Sequence, residues 1–584
     1  MKLPVFKKVF TLASLAAMFL SLYYEDQSTA YQAVPDEQLI QTDSIITQKT
    51  TVSIIQSDKP DAGQITYDEI KSMISQAVSL AGGFDTLIHD GDRVILKPNL
   101  VASRDYSWNS QPLPAEVNGI TTDWRVVKAV SELVRERNPH GKIYIMEGSG
   151  ADKTFRIMPA LKYYKFNFPA VDSLIYLENT AAWEDYSSPN LATVVLPASK
   201  ALYPDNLKPN RTKEFYLNRL YKEAEVLISI PVLKNHEYTG VTGAIKNVGI
   251  GGTPANIYGS GAQSSSRQDL NRIDHRADNN MDNLHRWIHD YYLCRPVDYV
   301  IMDGLQGSQN GPVAGGSMGA RNLKECQKNM RLIIAGKNAL SVDAIEALII
   351  GNDPAKVNHL NYLSKDSVGY INPAYIKIAG KKVHEVKKKF IFGAWTPGSV
   401  SQYSDFTAPV CTLNSCRTDG QKLYVSVSGN EIFMSGISYN GNMLDQVAVS
   451  KFSNMVFNTG IDNPDISKIR IYVYDKYLNC TELNPGATDV RQKQVQKKGF
   501  GLMQNYPNPF NPATKINYSI GEDCNADLSV FDVNGKKVCT LFNGYSRSGE
   551  HTVNFDGRHL CSGIYYYTLS AGKYRETKKL ILLK

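Results

Sequence analysis

The chain has 584 residues, 42% of them hydrophobic and 21% charged, the balance of an ordinary globular protein and not of a disordered or fibrous one. Its length allows several domains and a large core. A formal net charge of +7 is too small at this size to argue for nucleic acid or an anionic membrane as a partner.

Lys2, Lys7 and Lys8 precede an apolar run from Val9 to Leu22, and Ser28-Thr29-Ala30 offers a small-residue cleavage site. Residues 1–30 therefore read as an export signal, with an uncleaved anchor as the alternative. Residues 31–59 are polar and mixed, and read as a leader or linker. Eight cysteines follow, Cys294, Cys326, Cys411, Cys416, Cys480, Cys524, Cys539 and Cys561, in a compartment that permits disulfides. None forms CxxC, so neither a zinc ribbon nor an iron–sulfur cluster is signalled. Pairing stays open within the two later groups of three.

Thr66-Tyr67-Asp68-Glu69 is a capping box opening a helix with Ile70, Met73, Ile74, Ala77 and Val78 on one face. Residues 92–96 read as a strand, with Lys97-Pro98-Asn99 at its carboxyl end. Thr121, Thr122 and Asp123 cap a helix carrying Val126, Val127, Ala129, Val130 and Leu133. Residues 143–146 form a strand ending in Glu147-Gly148. Residues 226–230 form a buried strand that Pro231 stops. Residues 300–302 lead into Asp303-Gly304 and residues 332–334 into Ala335-Gly336, after which Ser341 or Asp343 opens a helix. Short apolar runs alternating with helical patterns predict an α/β domain over 60–395, built on a doubly wound, mostly parallel sheet.

The stretch after Pro231 departs from a structural loop. Lys234, Asn235, His236, Glu237, Thr239, Thr242, Lys246 and Asn247 are interleaved with Gly240, Gly243, Gly249, Gly251 and Gly252. Polar groups beyond the carboxyl ends of strands are where open α/β sheets hold ligands, and glycines there admit close backbone approach. Lys97, Lys234 and Lys246 supply positive charge for a small anion, and Asn99, Asn235 and Asn247 would orient it. Thr242, and Gly311 in a second glycine-rich segment, complete the expected binding set. Glu147, His236 and Asp303 are the acid/base candidates. They are also ligand candidates for a divalent metal, the one cofactor the residues leave open. His285 and His289 lie four apart on a helix, but no HExxH is present, and Leu284, Trp287 and Ile288 explain that helix as amphipathic. Both histidines read as structural. No Walker A motif is present, no GxSxG elbow is read at a strand-to-helix turn, and no GxGxxG follows the first strand, which disfavours a conventional nucleotide-binding enzyme or serine hydrolase.

Beyond the basic run at 381–389 the composition shifts to alternating strand-like pieces, KLYVSVS, IFMSGISYNG, MLDQVAVSKF and KIRIYVYDKYLN, which predict a small β-sandwich over 405–483. Its opening TAPVCTL and closing YVYDKYLNCTE resemble bacterial immunoglobulin-like modules, and it reads as a spacer. Residues 484–500 are a lysine- and glutamine-rich linker, and 501–584 form a further series of strands with tight turns.

Two larger resemblances organise these parts. DRVILKPNLV, GITTDWRVVKAVSELV, IYIMEGSG, ISIPVLKNHEYTGVTGAIKNVGIG, VIMDGLQGSQNGPVAGG and LSVDA together resemble the bacterial and archaeal domain-of-unknown-function family numbered 362, over about 60–390. The resemblance implies an α/β fold and hands over no established reaction. Some members carry ferredoxin-like cysteine clusters, and this chain has none. The run from Asn505 to Pro512 (NYPNPFNP), the GIYYY pattern and the terminal KKLILLK resemble the C-terminal sorting domain of the type IX secretion system. That resemblance implies a bacterium of the Bacteroidetes or a related group. It also implies passage across both membranes, release or surface attachment, and the secretion machinery as the partner of residues 501–584. The functional expectation is an exported enzyme whose α/β cleft binds an anionic small molecule, with no nucleic acid involved. The alternative is a non-catalytic surface binding protein using the same cleft.

Overall fold

The computed structural model describes residues 44–105, 111–148, 153–177, 190–208, 212–236, 238–253, 282–309, 311, 322–391, 406–449, 455–486, 500–505, 507–546, 549–572 and 574–584. The expected export signal and nearly all of the 484–500 linker lie outside them. The chain divides into two compact units, Met1–Pro485 and Gly486–Lys584.

The first unit is built on a ten-stranded sheet. Its strands are β2 (Thr50–Gln56), β3 (Arg93–Pro98), β4 (Lys142–Glu147), β5 (Ser173–Tyr176), β8 (Val226–Ile230), β9 (Val232–His236), β10 (Gly240–Val241), β11 (Tyr299–Ser308), β12 (Gln327–Gly336) and β13 (Ile376–Gly380). A separate antiparallel ribbon joins β6 (Leu191–Val195) to β7 (Glu214–Asn218). Strands β11, β8, β3, β4 and β5 are neighbours in that order and run parallel. β12 lies antiparallel to both β11 and β2, so the sheet is mixed. The break follows from the connection: β11 returns directly into β12 along one long ladder, which needs no crossover helix.

Helices cover both faces, which is why β8 reads VLISI with every residue buried. Helices Tyr67–Leu80 and Trp124–Arg137 pack on one face, with Ile70, Ile74, Val126 and Val130 fully buried. Helices Gly243–Gly251, Asp282–Cys294 and Ala339–Ile350 pack on the other around Trp287, Ile288 and Leu348. The Thr66 capping box forms as expected, Thr66 Oγ1 accepting from Glu69 N at 3.3 Å and Glu69 Oε2 from Thr66 N at 2.8 Å. The cap of Ala339–Ile350 differs from expectation. Asn338 accepts from Ser341 N at 2.9 Å and begins the helix, which leaves Asp343 a full turn inside it, buried among apolar neighbours.

Residues 44–56 are not a linker. β1 (Ser44–Thr47) pairs antiparallel with a strand some four hundred residues later, and β2 enters the central sheet. β1's partner belongs to a sandwich of two sheets. One contains β14 (Cys411–Asp419), β15 (Lys422–Gly429) and β18 (Met455–Asn458). The other orders β1 with β17 (Asn442–Val449), β16 (Met434–Tyr439), β19 (Ile469–Tyr474) and β20 (Cys480–Leu483). Strand alternation gives the second sheet two apolar faces. Ile437, Ala448, Ile471 and Val473 face β14, β15 and β18 in the sandwich core. Met434, Val447, Tyr472 and Tyr474 face the α/β domain and share its core. Lys387 Nζ adds hydrogen bonds to Tyr477 O and Asn479 Oδ1 at 3.2 and 3.1 Å. The sandwich is therefore packed onto the α/β domain and is not a free spacer. No disulfide joins any of the eight cysteines.

The second unit has its own core of Phe510, Ile516, Leu528, Val530, Tyr567, Leu569, Leu580 and Leu582. One sheet contains Gly501–Leu502, Ala513–Ile520 and Gly549–Asp556, and the other Lys537–Ser546, Cys524–Phe531, Gly563–Ala571 and Tyr574–Leu582. Phe510, in the asparagine–proline run, donates to Ile581 O at 2.9 Å and accepts from Leu583 N at 3.0 Å, which seats that run beside the last strand.

Val447 is 2% exposed at the seam between sandwich and α/β domain. All five tryptophans precede residue 411. Val447→Asp buries an unpaired charge there and is expected to lower the urea stability read by tryptophan fluorescence by about 3 kcal/mol. A free spacer would leave that transition unmoved.

Candidate functional site

The carboxyl ends of β3 and β4 meet in a buried ion pair. Lys97 is fully buried and Glu147 is 2% exposed, with Nζ and Oε1 2.7 Å apart. Lys97 Nζ also donates to Pro98 O at 2.7 Å and Asn247 Oδ1 at 3.2 Å. Glu147 Oε1 accepts from Gly148 N at 2.9 Å, and Oε2 from Leu100 N at 2.8 Å. Burial pulls the Lys97 ammonium down and the Glu147 carboxyl up, towards neutrality. The hydrogen bonds oppose it: three acceptors match the three hydrogens of an ammonium, and three donors face the carboxylate. The pair is ionised. Gly251 closes over it, since a Cβ there would lie 2.8 Å from both Glu147 Oε1 and Lys97 Nζ.

Asn247 and Asn99 extend this network. Asn247 Nδ2 donates to Lys97 O at 3.0 Å and Ser229 Oγ at 3.1 Å, and Asn247 Oδ1 accepts from Asn99 Nδ2 at 3.1 Å. Asn99 Oδ1 in turn accepts from Lys234 Nζ at 2.8 Å, and the other acceptor of that nitrogen is Ile120 O at 2.6 Å. Burial, then the charge of Lys246, pushes Lys234 well below the usual lysine range. Its two acceptors match the two hydrogens of a neutral amine. Lys246 is half-buried and, among the described residues, no hydrogen bond or ion pair holds its ammonium. Burial and the charge of Lys97 bring it down to about 8.

Helix Gly243–Gly251, which carries Lys246 and Asn247, is fastened at its start by a residue from another helix. Asp343 Oδ1 accepts from Ala244 N at 2.7 Å and Oδ2 from Ile245 N at 2.9 Å. Gly243 has φ +57°, and a Cβ there would stand 2.4 Å from Asp343 Oδ2, so a side chain at that position would displace the cap. Glu346, one turn on, accepts from Lys234 N at 3.3 Å through Oε1, while its Oε2 is buried without a partner. Burial and then Asp343 raise Glu346 well above the usual carboxylate range. Neither acid was among the expected site residues. The signal was two carboxylates three apart within the otherwise apolar ALSVDAIEALII.

The remaining candidates stand elsewhere. Asp303 lies on the opposite face of the sheet from Lys97, where it accepts from Asp123 N at 2.8 Å and Leu305 N at 3.1 Å. Burial, then the neighbouring Asp123, pushes its carboxyl up to about 7. His236 is buried, its Nδ1 accepting from Tyr238 N at 3.2 Å. Thr242 Oγ1 is buried without a partner. Gly311 N donates to Asn235 Oδ1 at 3.0 Å. Glu147, His236 and Asp303 do not converge as a ligand set. Among the described residues no group of three or more His, Cys, Asp or Glu is placed to hold a metal ion. The divalent metal left open by the sequence does not fit these donors. His289 is held by Asp290 at 2.7 Å and Asp366 at 2.6 Å.

Residues 94–347 match the family model described as domain of unknown function (DUF362), and residues 504–583 match the secretion system C-terminal sorting domain. The central sheet reaches past the first match on both sides, to β2 and β13. No curated relative matches the chain. Among solved structures, dimeric latent PorU from Porphyromonas gingivalis is 14% identical over 30% of this chain and 20% of its own, with a TM-score of 0.14. The human OSCAR ligand-binding domain is 11% identical over 30% of this chain and 98% of its own, with a TM-score of 0.11. Apo β-glucuronidase 3 of Bacteroides uniformis is 9% identical over 92% of this chain and 62% of its own, with a TM-score of 0.16. Likenesses of this size carry no argument about fold or activity. The chain is an exported protein, extracellular or attached to the cell surface, that joins a DUF362 domain at residues 94–347 to a secretion system C-terminal sorting domain at residues 504–583.

Proposed function

We propose that the α/β domain binds a small anion at Lys246, outside the cell, and that its sorting domain engages the type IX secretion machinery. The observation that carries the anion reading is the imbalance among three lysines. Lys97 is neutralised by Glu147, and Lys234 sits between two neutral acceptors. Lys246 is left as a half-buried ammonium without a partner among the described residues. A cation depressed by burial and by a like charge gains most when an anion arrives. Asn99 and Asn247, fixed by their bonds to Lys97 and Lys234, would form neutral surroundings beside it, with one Asn99 amide hydrogen left to orient it once Asn247 has given both of its own to Lys97 O and Ser229 Oγ. In this reading the sheet is doubly wound, with helices on both faces, and residues 411–483 are an immunoglobulin-like module.

Turnover separates two uses of the same site. As an enzyme, the domain would also need an acid or base that reaches an anion at Lys246, and of the expected candidates Glu147 is the one that shares the Lys97–Asn247 network. As a binding protein it needs Lys246 alone. The full-length chain is screened by thermal unfolding against phosphates and carboxylates. A ligand at a hundred times its dissociation constant adds about 2.7 kcal/mol. The expected result is a stabilising anion whose effect disappears in Lys246→Ala. The same shift in Lys246→Ala and wild type would sink the site. Turnover of the bound anion by wild type supports the enzyme, and the absence of any turnover supports the binding protein.

The affinity should also depend on pH. Lys246 must be charged to bind, and the free protein releases that proton at about 8. Affinity is therefore level below pH 8 and falls about tenfold per unit above it. Calorimetric titration between pH 6 and about 10 reads this, and a flat profile would remove Lys246 from the contact.

A further inference from the structure

Beside Lys246, two buried histidines define a tautomer. His285 is 3% exposed and His359 fully buried, on helices Asp282–Cys294 and Asn358–Lys365. His285 Nε2 lies 3.2 Å from the carbonyl oxygen of Tyr238. A carbonyl only accepts, so the His285 proton is on Nε2. His285 Nδ1 is then a lone pair, in agreement with the backbone N–H of His359 that points at it from 3.2 Å. The same Nδ1 stands 3.0 Å from His359 Nδ1. His359 must be the donor in that contact, so its proton is on Nδ1. His359 Nε2 is left as a bare lone pair, buried and without a partner.

Both rings are neutral for reasons of position. Burial first, and among its neighbours the Lys246 charge, hold His285 at about 4. Burial, then His285 and Lys246, hold His359 well below the usual histidine range. An unpartnered acceptor inside a protein costs about 1–3 kcal/mol, and here it lies within the field of the one lysine assigned to the anion.

We propose that His359 is a specificity-determining residue of the Lys246 site, accepting through Nε2 a hydrogen bond from a hydroxyl on the bound anion. His285 is the positioning residue that fixes the tautomer, and Tyr238, in the glycine-rich stretch after β9, fixes His285. The ligand class narrows from any small anion to one that also bears a hydroxyl. This inference rests on the Lys246 reading.

The test uses probe anions that differ by a hydroxyl: acetate with glycolate, and ethyl phosphate with 2-hydroxyethyl phosphate. Each is titrated into the full-length chain. In wild type the hydroxylated member of a pair should bind about tenfold tighter, the worth of one hydrogen bond to a buried acceptor. His359→Asn keeps an amide donor towards His285 Nδ1 and removes the outer nitrogen. It should bring the hydroxylated probe to the affinity of the plain one, leaving the plain one unchanged. Equal binding within every pair in wild type overturns the role of His359, as does a preference that survives in His359→Asn. In both cases the Lys246 site stands. Lys246→Ala that binds the probes as wild type does overturns the Lys246 reading itself, and binding of no probe to wild type overturns both.

Discussion

The ion pair between Lys97 and Glu147 sets the geometry of everything around it. Two full charges away from water persist only where every hydrogen and lone pair is met, and removing one partner of such a pair costs about 3–5 kcal/mol. Meeting them draws in the backbone of Leu100 and Gly148, the amide of Asn247 and the close approach of Gly251. The tips of two parallel strands and one helix are thereby locked together. Lys246, next to Asn247, inherits its position from that lock, as does Lys234 through Asn99.

The arrangement sorts three chemically identical side chains into three states. Lys97 keeps its charge because a carboxylate is supplied. Burial and a like-charged neighbour pull Lys234 well below the usual lysine range, and its two acceptors would suit an amine. Lys246, brought down only to about 8, keeps its charge at neutral pH. A reading by residue type counts three equivalent cations, whereas among the described residues the fold leaves Lys246 alone without an acceptor.

Much of this was legible in the sequence because local patterns and tertiary demands agree. The capping box at Thr66, the apolar run of β8 and the cap at Asp123 each specify an element without help from distant residues. Lys97, Asn99, Glu147 and Lys234 stand at or just past the ends of neighbouring strands, a placement strand order suggests, and the helix after β10 brings Asn247 to them. Asp303 shows where that logic stops: successive residues at a strand tip point to opposite faces, and one parity step put it with Asp123. Asp343 and Glu346 were hidden because their roles are long-range, a cap and a partner for residues a hundred positions earlier. The two faces of β19 were written in IRIYVY, whose apolar residues fall on both parities, but a strand cannot say what will cover its second face. β1 is four residues whose partner is named nowhere nearby.

That strand ties the order of folding to the order of synthesis. Ser44 pairs with Val449, so the first of the described strands must wait for most of the unit to follow before its own ladder exists. Contacts this distant in sequence close late and slowly. Until then one edge of the sandwich sheet is open, with unpaired backbone groups along β17. Completion of that edge requires that the chain has arrived at least as far as Val449. A chain cut short within the sandwich would leave both β1 and the face of the α/β domain uncovered, and it would be recognisable as incomplete by its exposed edge alone.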